Sequence, residues 1–432
     1  MPADEDRNDM SRPSADPTEA ARLAPRPSAD PTEAASPAPH PRGYSADLAV
    51  TGAWLPGDLP GDRQFFTLER PHSFVLEGGG ALRDVTLAYE TWGELAPDGS
   101  NAVLICHALT GDSHAAGEAG HGHATSGWWG EMVGPGKALD TDELYVVCAN
   151  VLGGCQGTTG PASPDPETGR PYGSSFPTVT VRDIVRTQRR LADHLGIRRW
   201  LTVIGGSMGA MQALEWGVMF PDRVSSVCSL AGCMAASAQQ IGWSAVGRTA
   251  LALDPNWRGG DYYDNPPGQG PHAGLAIARS LAQITYRSDE VFEDRFGREL
   301  FDIHSVYGAW DRFQVESYLD YHGEKLVRRF DANTYLVLNR VMDLHDIGRD
   351  RGGIAPAVAR LSSPVLSLSI TSDMLYPPRQ QIELHDAVVA AGGRCVYTVV
   401  ESPHGHDGFL LEVEAVGQAI KDFLEKVGSS VA

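Results

Sequence analysis

From about residue 84 onward the chain alternates short apolar runs with longer amphipathic stretches. Runs at 85–90, 102–106, 144–149, 201–204, 224–230, 365–370 and 396–400 read as strands, several apolar throughout, as strands covered on both faces are. Between them, Val181, Ile184, Val185, Leu191, Ala192 and Leu195 fall on one face of a helix over 181–195. This rhythm predicts an α/β fold: a mostly parallel sheet with helices on both faces. It breaks between 234 and 350, where DPNWRGGDYYDNPPGQGP gives way to helical, aromatic and charged patterns before SPVLSLSIT resumes the sheet. The expected organisation is a core in two parts, 45–233 and 351–432, with a helical lid inserted at 234–350. Such lids exclude water and complete an active site.

Residues 1–44 contain RPSADPTEAA twice, at 12–21 and 26–35, and almost no large apolar groups. They cannot bury enough surface to offset the entropy of ordering, so a disordered tail is expected.

Composition narrows the function classes. An apolar fraction of 42% and a charged fraction of 21% are those of an ordinary globular protein. No run reaches the roughly 18 apolar residues of a bilayer span, and the N-terminus lacks the apolar centre of a signal peptide. A cytoplasmic protein with no membrane partner is expected. The net charge is −20, and the tail holds eight acids and five bases, so most of the acidity belongs to the folded body. That excludes sequence-independent nucleic-acid binding, which rests on Lys and Arg contacts to phosphate. A phosphate-bearing substrate would need a locally basic entrance, which the linear sequence does not locate. Cys106, Cys148, Cys155, Cys228, Cys233 and Cys395 form no Cys-x-x-Cys pair and read as small buried hydrophobes.

Candidate chemistry begins at Gly205-Gly206-Ser207-Met208-Gly209. A bare Gly-x-Ser-x-Gly is common. Here it follows an apolar strand and opens a helix, the context of a nucleophile elbow, in which a strained turn lifts the serine hydroxyl above the sheet edge. A serine needs a base, and the base an orienting acid. Both follow in the chain: Asp373 in TSDMLYPP after one strand, and His404 and His406 in SPHGHDGFLLE after the next. His406, directly before a helix, is the expected base, and His404 a loop residue. The oxyanion would be held by the backbone N–H groups of Met208 and of Leu109, which follows the strand in AVLICHALTG; His107 beside it reads as structural. His114, His121 and His123 in SHAAGEAGHGHA sit in a glycine-rich stretch with no matching carboxylate or cysteine pattern, so no metal is expected.

The segments CHALTGDSHAAG, WWGEMVGPGKALDTDELYVVCANVLGGCQGTTGP, FPTVTVRDIVRTQRRLADHLGI, GGSMGAMQALEW, ITYRS and GHDGFL together resemble the homoserine O-acyltransferase family of the α/β-hydrolase fold, over about 50–425. The resemblance implies acyl transfer from acetyl-CoA, as co-substrate with no bound cofactor, to the hydroxyl of L-homoserine, an early step toward methionine. It implies Ser207 as nucleophile, Asp373 as acid and His406 as base. It further implies Arg279 for the substrate carboxylate, Asp407 for its ammonium and Tyr286 as a site tyrosine, within a homodimer. A guanidinium and a carboxylate suit the two ends of an amino acid. Arg287 is the alternative to Arg279, and Asp407 alternatively favours only the N-terminus of its helix. Succinyl-CoA as donor, L-serine as acceptor, or water as acceptor in an esterase with the same triad remain open.

Overall fold

The computed structural model describes residues 44–68, 73–120, 122–301, 307–308 and 310–428. The expected tail, apart from Tyr44, and His121 lie outside the described residues.

The run Ala102–Cys106 is buried at all five positions and forms β5. Its side chains divide by strand alternation: Leu104 and Cys106 join one apolar cluster, Val103 and Ile105 the other. The division repeats across the sheet and puts a core on each face. Each fully buried aliphatic side chain contributes about 1.5–3 kcal/mol.

The strands are β1 (Gln64–Thr67), β2 (Phe74–Val75), β3 (Ala81–Leu82), β4 (Thr86–Trp92), β5, β6 (Tyr145–Ala149), β7 (Thr202–Gly206), β8 (Val227–Leu230), β9 (Val365–Ile370) and β10 (Cys395–Val400). Eight form one sheet in the order β1-β4-β6-β5-β7-β8-β9-β10, and β2 pairs with β3. From β6 to β10 all neighbours are parallel, while β1 and β4 join antiparallel. This is the α/β architecture that the alternation predicts. Five cysteines are buried and Cys395 half-buried, all with free thiols.

The helices are α1 (Val181–His194), α2 (Met208–Met219), α3 (Ala238–Ala252), α4 (His272–Tyr286), α5 (Asp289–Phe296), α6 (Gln314–Val327), α7 (Ala332–Asp343), α8 (Ile354–Val358), α9 (Pro378–Ala390), α10 (Gly408–Leu411) and α11 (Val413–Gly428). Thr180 and Asp183 form a capping box that starts α1. α1, α2 and α9 cover one face of the sheet, and α11 with the segment around Trp129, Met132 and Leu139 covers the other. Because α2 is buried almost all round, its two polar side chains need internal partners. Gln212 donates to the His107 carbonyl at 3.1 Å, and Glu215 pairs with Arg351 at 2.8 Å.

Helices α3 to α7 lie between β8 and β9 in the chain. α4 packs tightly on α6: a Cβ added at Gly323 would stand 2.9 Å from the Ala276 Cβ. No helix among the described residues is long and apolar enough to cross a membrane.

Candidate active site

The strands β5, β7, β9 and β10 run parallel, so their carboxyl ends share one edge of the sheet, where α/β proteins place their ligands. Leu109 follows β5, Ser207 follows β7, Asp373 follows β9 and His406 follows β10. The topology alone gathers them.

At the elbow Ser207 has φ 59° and ψ −125°, a strained conformation for a residue with a side chain. The tight turn needs Gly209: a Cβ there would stand 2.0 Å from the Cys106 carbonyl oxygen. Ser207 donates its N–H to the Leu230 carbonyl at 3.1 Å, which ties the elbow to β8. Met208 is the first residue of α2, whose N-terminus favours negative charge. Neither its N–H nor that of Leu109 donates to an acceptor among the described residues.

Asp373 Oδ2 accepts from His406 Nδ1 at 2.7 Å. Its other oxygen accepts the Leu375 and Tyr376 N–H groups, each at 2.8 Å, so both carboxylate oxygens are fixed. His406 is 3% exposed, and its Nε2 is buried without a hydrogen-bond partner. The imidazole is surrounded by aromatic rings: Tyr376 at 5.0 Å, Phe409 at 5.4 Å and Tyr286 at 6.0 Å between centroids. Its loop is anchored from two sides. Gly405 donates to Ser372 Oγ at 2.8 Å, and a Cβ on Gly405, at φ 67°, would meet the Tyr286 carbonyl at 2.7 Å. His404, by contrast, is partly exposed with Nε2 4.0 Å from Glu412. His107 is fully buried; its Nε2 accepts the Val151 N–H at 3.0 Å, and burial pushes its pKa down.

A cavity of about 50 Å³ adjoins Ser207, Leu109 and Tyr376. Gln240, Trp243 and Ser244 of α3, Ala282 and Tyr286 of α4, and Tyr335 and Met342 of α7 roof it. Tyr376 and the α7 residues have no motif, and sequence reading missed them. The only hint was Tyr376's place three residues after Asp373.

The structure separates the two arginines of α4 and its C-cap. Arg287 lies 3.3 Å from Asp407 Oδ2. Arg279 makes no ion pair among the described residues, and its guanidinium stands 5.2 Å from the Tyr286 ring. Arg279 and Asp407 are therefore not paired with each other; both act electrostatically on Tyr286, whose pKa burial raises and Arg279 opposes.

Near His114 the fold supplies the carboxylate that the local sequence lacks. Glu90 of β4 accepts from His114 Nδ1 at 2.8 Å and from Ser113 at 2.9 Å. Asp62, Glu90, His114 and His123 bring ligand-type atoms within 4.8 Å of one another. Three of them already have partners: Glu90 and His114 each other, and His123 Nε2 the Asp62 backbone N–H at 3.1 Å, while the two imidazoles stack at 3.7 Å. His114 faces two acceptors, the Glu90 carboxylate and, at 3.3 Å, the Glu118 carbonyl, so only the imidazolium satisfies both. Burial lowers its pKa, but the Glu90 hydrogen bond and charge outweigh burial and raise it above the ordinary value. This pair stabilises fully below the unfolded histidine pKa, and the contribution is lost as pH rises through the raised folded value. Denaturant titrations of wild type and Glu90→Gln are expected to differ most below the unfolded histidine pKa of about 6.5 and to converge as pH rises above it; a gap that does not change with pH would remove the ion pair.

The fold is shared with known proteins. A family model described as the alpha/beta hydrolase fold matches residues 101–413. The homoserine O-acetyltransferase of Thermobifida fusca (strain YX) is 52% identical over 377 residues, 87% of this chain and 97% of that protein. Among solved structures, the homoserine O-acetyltransferase from Bacillus anthracis has a TM-score of 0.78 at 28% identity, covering 84% of this chain and 97% of that one. Esterase E22 has a TM-score of 0.77 at 30% identity, covering 84% and 99%. The chain belongs to the homoserine O-acetyltransferase family, on the alpha/beta hydrolase fold.

Proposed function

We propose that this protein transfers the acetyl group of acetyl-CoA to the hydroxyl of L-homoserine through an acetyl ester on Ser207. The reading is carried by a guanidinium with no carboxylate partner among the described residues, held near the same ring as the base: the Tyr286 ring lies 5.2 Å from Arg279 and 6.0 Å from His406. An esterase for apolar esters has no use for that charge. A carboxylate-bearing acceptor does.

In the first step His406 Nε2 takes the proton of Ser207 as Oγ attacks the thioester carbonyl. The oxyanion receives the Leu109 and Met208 N–H groups; the C–S bond then breaks, and CoA leaves with the proton from His406. In the second, homoserine enters with its carboxylate on Arg279 and its ammonium on Asp407. The second carboxylate oxygen of Asp407 accepts no hydrogen bond among the described residues, which supports this role. His406 removes the proton of the substrate hydroxyl as it attacks the ester, and Ser207 leaves with that proton. Asp373 holds the imidazole in the tautomer that leaves Nε2 able to accept. The α3, α4 and α7 roof limits water at the ester. Exposed Val246, Ile277 and Ile284 on α3 and α4 support a homodimer.

Initial rates with both substrates varied are expected to give parallel double-reciprocal lines, and thioester cleavage to depend on added L-homoserine. Intersecting lines would replace the two-step scheme with a ternary complex. Cleavage at full rate without homoserine would make the protein a hydrolase, the activity named for the E22 neighbour.

A further inference from the structure

In a chain with 55 acids and 35 bases, four cations, Arg279, Arg287, Arg295 and Lys325, gather around one imidazole, that of His322. Arg279 of α4, Arg295 of α5 and Lys325 of α6 make no ion pair among the described residues, although Arg287 and Arg329 beside them pair with Asp407 and Asp112. Their surroundings are connected. The Arg295 guanidinium lies 5.0 Å from the Tyr318 ring, Tyr318 lies 4.4 Å from His322, and the Tyr318 hydroxyl accepts from Gln283 of α4 at 2.8 Å. On α4, Arg279 leads through Tyr286 to His406. Lys325 lies one turn beyond His322 on α6. Burial, and then the charges of Arg279, Lys325, Arg287 and Arg295, push His322 down to about 3, so the imidazole adds no charge of its own. Uncompensated like charges repel one another and cost stability unless an anion is bound there.

The two substrates offer two kinds of anion. One carboxylate accounts for Arg279, nearest the base. It leaves Arg295 and Lys325, both exposed at the outer end of the same group. We infer that Arg295 and Lys325 dock the phosphates of a nucleotide-bearing thioester donor, the acyl end of which reaches Ser207 past Arg279 and Tyr286. This rests on the acetyl-CoA reading above and supplies the locally basic entrance that an acidic protein needs for such a donor. An ammonium or guanidinium paired to a phosphate forms a charge-assisted hydrogen bond, stronger than a neutral one.

The test compares acetyl-CoA with S-acetyl-N-acetylcysteamine, a thioester without phosphates, in wild type and in an Arg295→Ala/Lys325→Ala variant. The ratio of kcat/KM for acetyl-CoA to that for the short thioester is expected to fall about tenfold or more, through KM for acetyl-CoA. Added KCl should lower the wild-type ratio and affect the variant less. An unchanged ratio, or a loss that falls on KM for L-homoserine, would overturn the assignment. Wild type that does not transfer acetyl groups from acetyl-CoA at all would instead overturn the proposed reaction, so the two failures are distinct.

Discussion

Replacing Ser207 with glycine is expected to lower kcat by on the order of 10⁶-fold while leaving the protein more stable than the Ser207→Ala variant. The first effect follows from removing the hydroxyl proposed to carry the acetyl ester. The second follows from the backbone. Ser207 holds φ 59° and ψ −125°, where any side chain is strained by about 1–3 kcal/mol. Glycine adopts that conformation freely, at a cost of roughly 0.5–1 kcal/mol of extra unfolded-state entropy. The net gain over alanine is about 1 kcal/mol, readable as a shift of the denaturant midpoint with unchanged m-value. Activity within a factor of ten of wild type in either variant would move the nucleophile elsewhere. Equal stability of the two variants would show that the elbow stores no strain.

Asp373→Asn is expected to lower kcat by about 10⁴-fold with little change in folding. The size of the effect comes from the two backbone donors, not from charge alone. Leu375 and Tyr376 N–H both point at Oδ1, so the amide oxygen of asparagine must occupy that position and its NH₂ must face His406. Nδ1 then has to accept, the ring proton moves to Nε2, and that nitrogen can no longer take the serine proton. A loss of only tenfold, with the same pH profile as wild type, would contradict this role for Asp373.

The sheet was legible because its strands are buried on both faces and carry continuous apolar runs. Residues 102–106 and 365–370 match β5 and β9 at both ends. The expected strand at 224–230 begins only at Val227; before it, Val224 forms an isolated bridge to Trp200. β1 to β3 gave no signal: Gln64–Thr67 is largely exposed and pairs on one side only, so selection for apolar residues is weak there. In the site, Ser207, Asp373 and His406 could be ordered along the chain because each follows a recognisable strand. Spacing alone did not decide between Arg279, which the family resemblance favours, and Arg287, since the partner of the latter, Asp407, lies 120 positions away and approaches only through the contact of Gly405 with the end of α4. The same holds for Glu90 and His114, whose charges meet only after β4 and β6 pair. Lys325 and Arg295 carry no motif. Their meaning lies in being gathered with Arg279 and Arg287 around His322, and that is a property of packing.

The most direct test of the central claim isolates the intermediate. Protein mixed with [¹⁴C]acetyl-CoA in the absence of acceptor and freed of small molecules is predicted to retain label, which a chase with L-homoserine moves to the amino acid faster than buffer releases it as acetate. Label absent from wild type, present equally in Ser207→Ala, or released as acetate at a rate indifferent to homoserine would contradict the account.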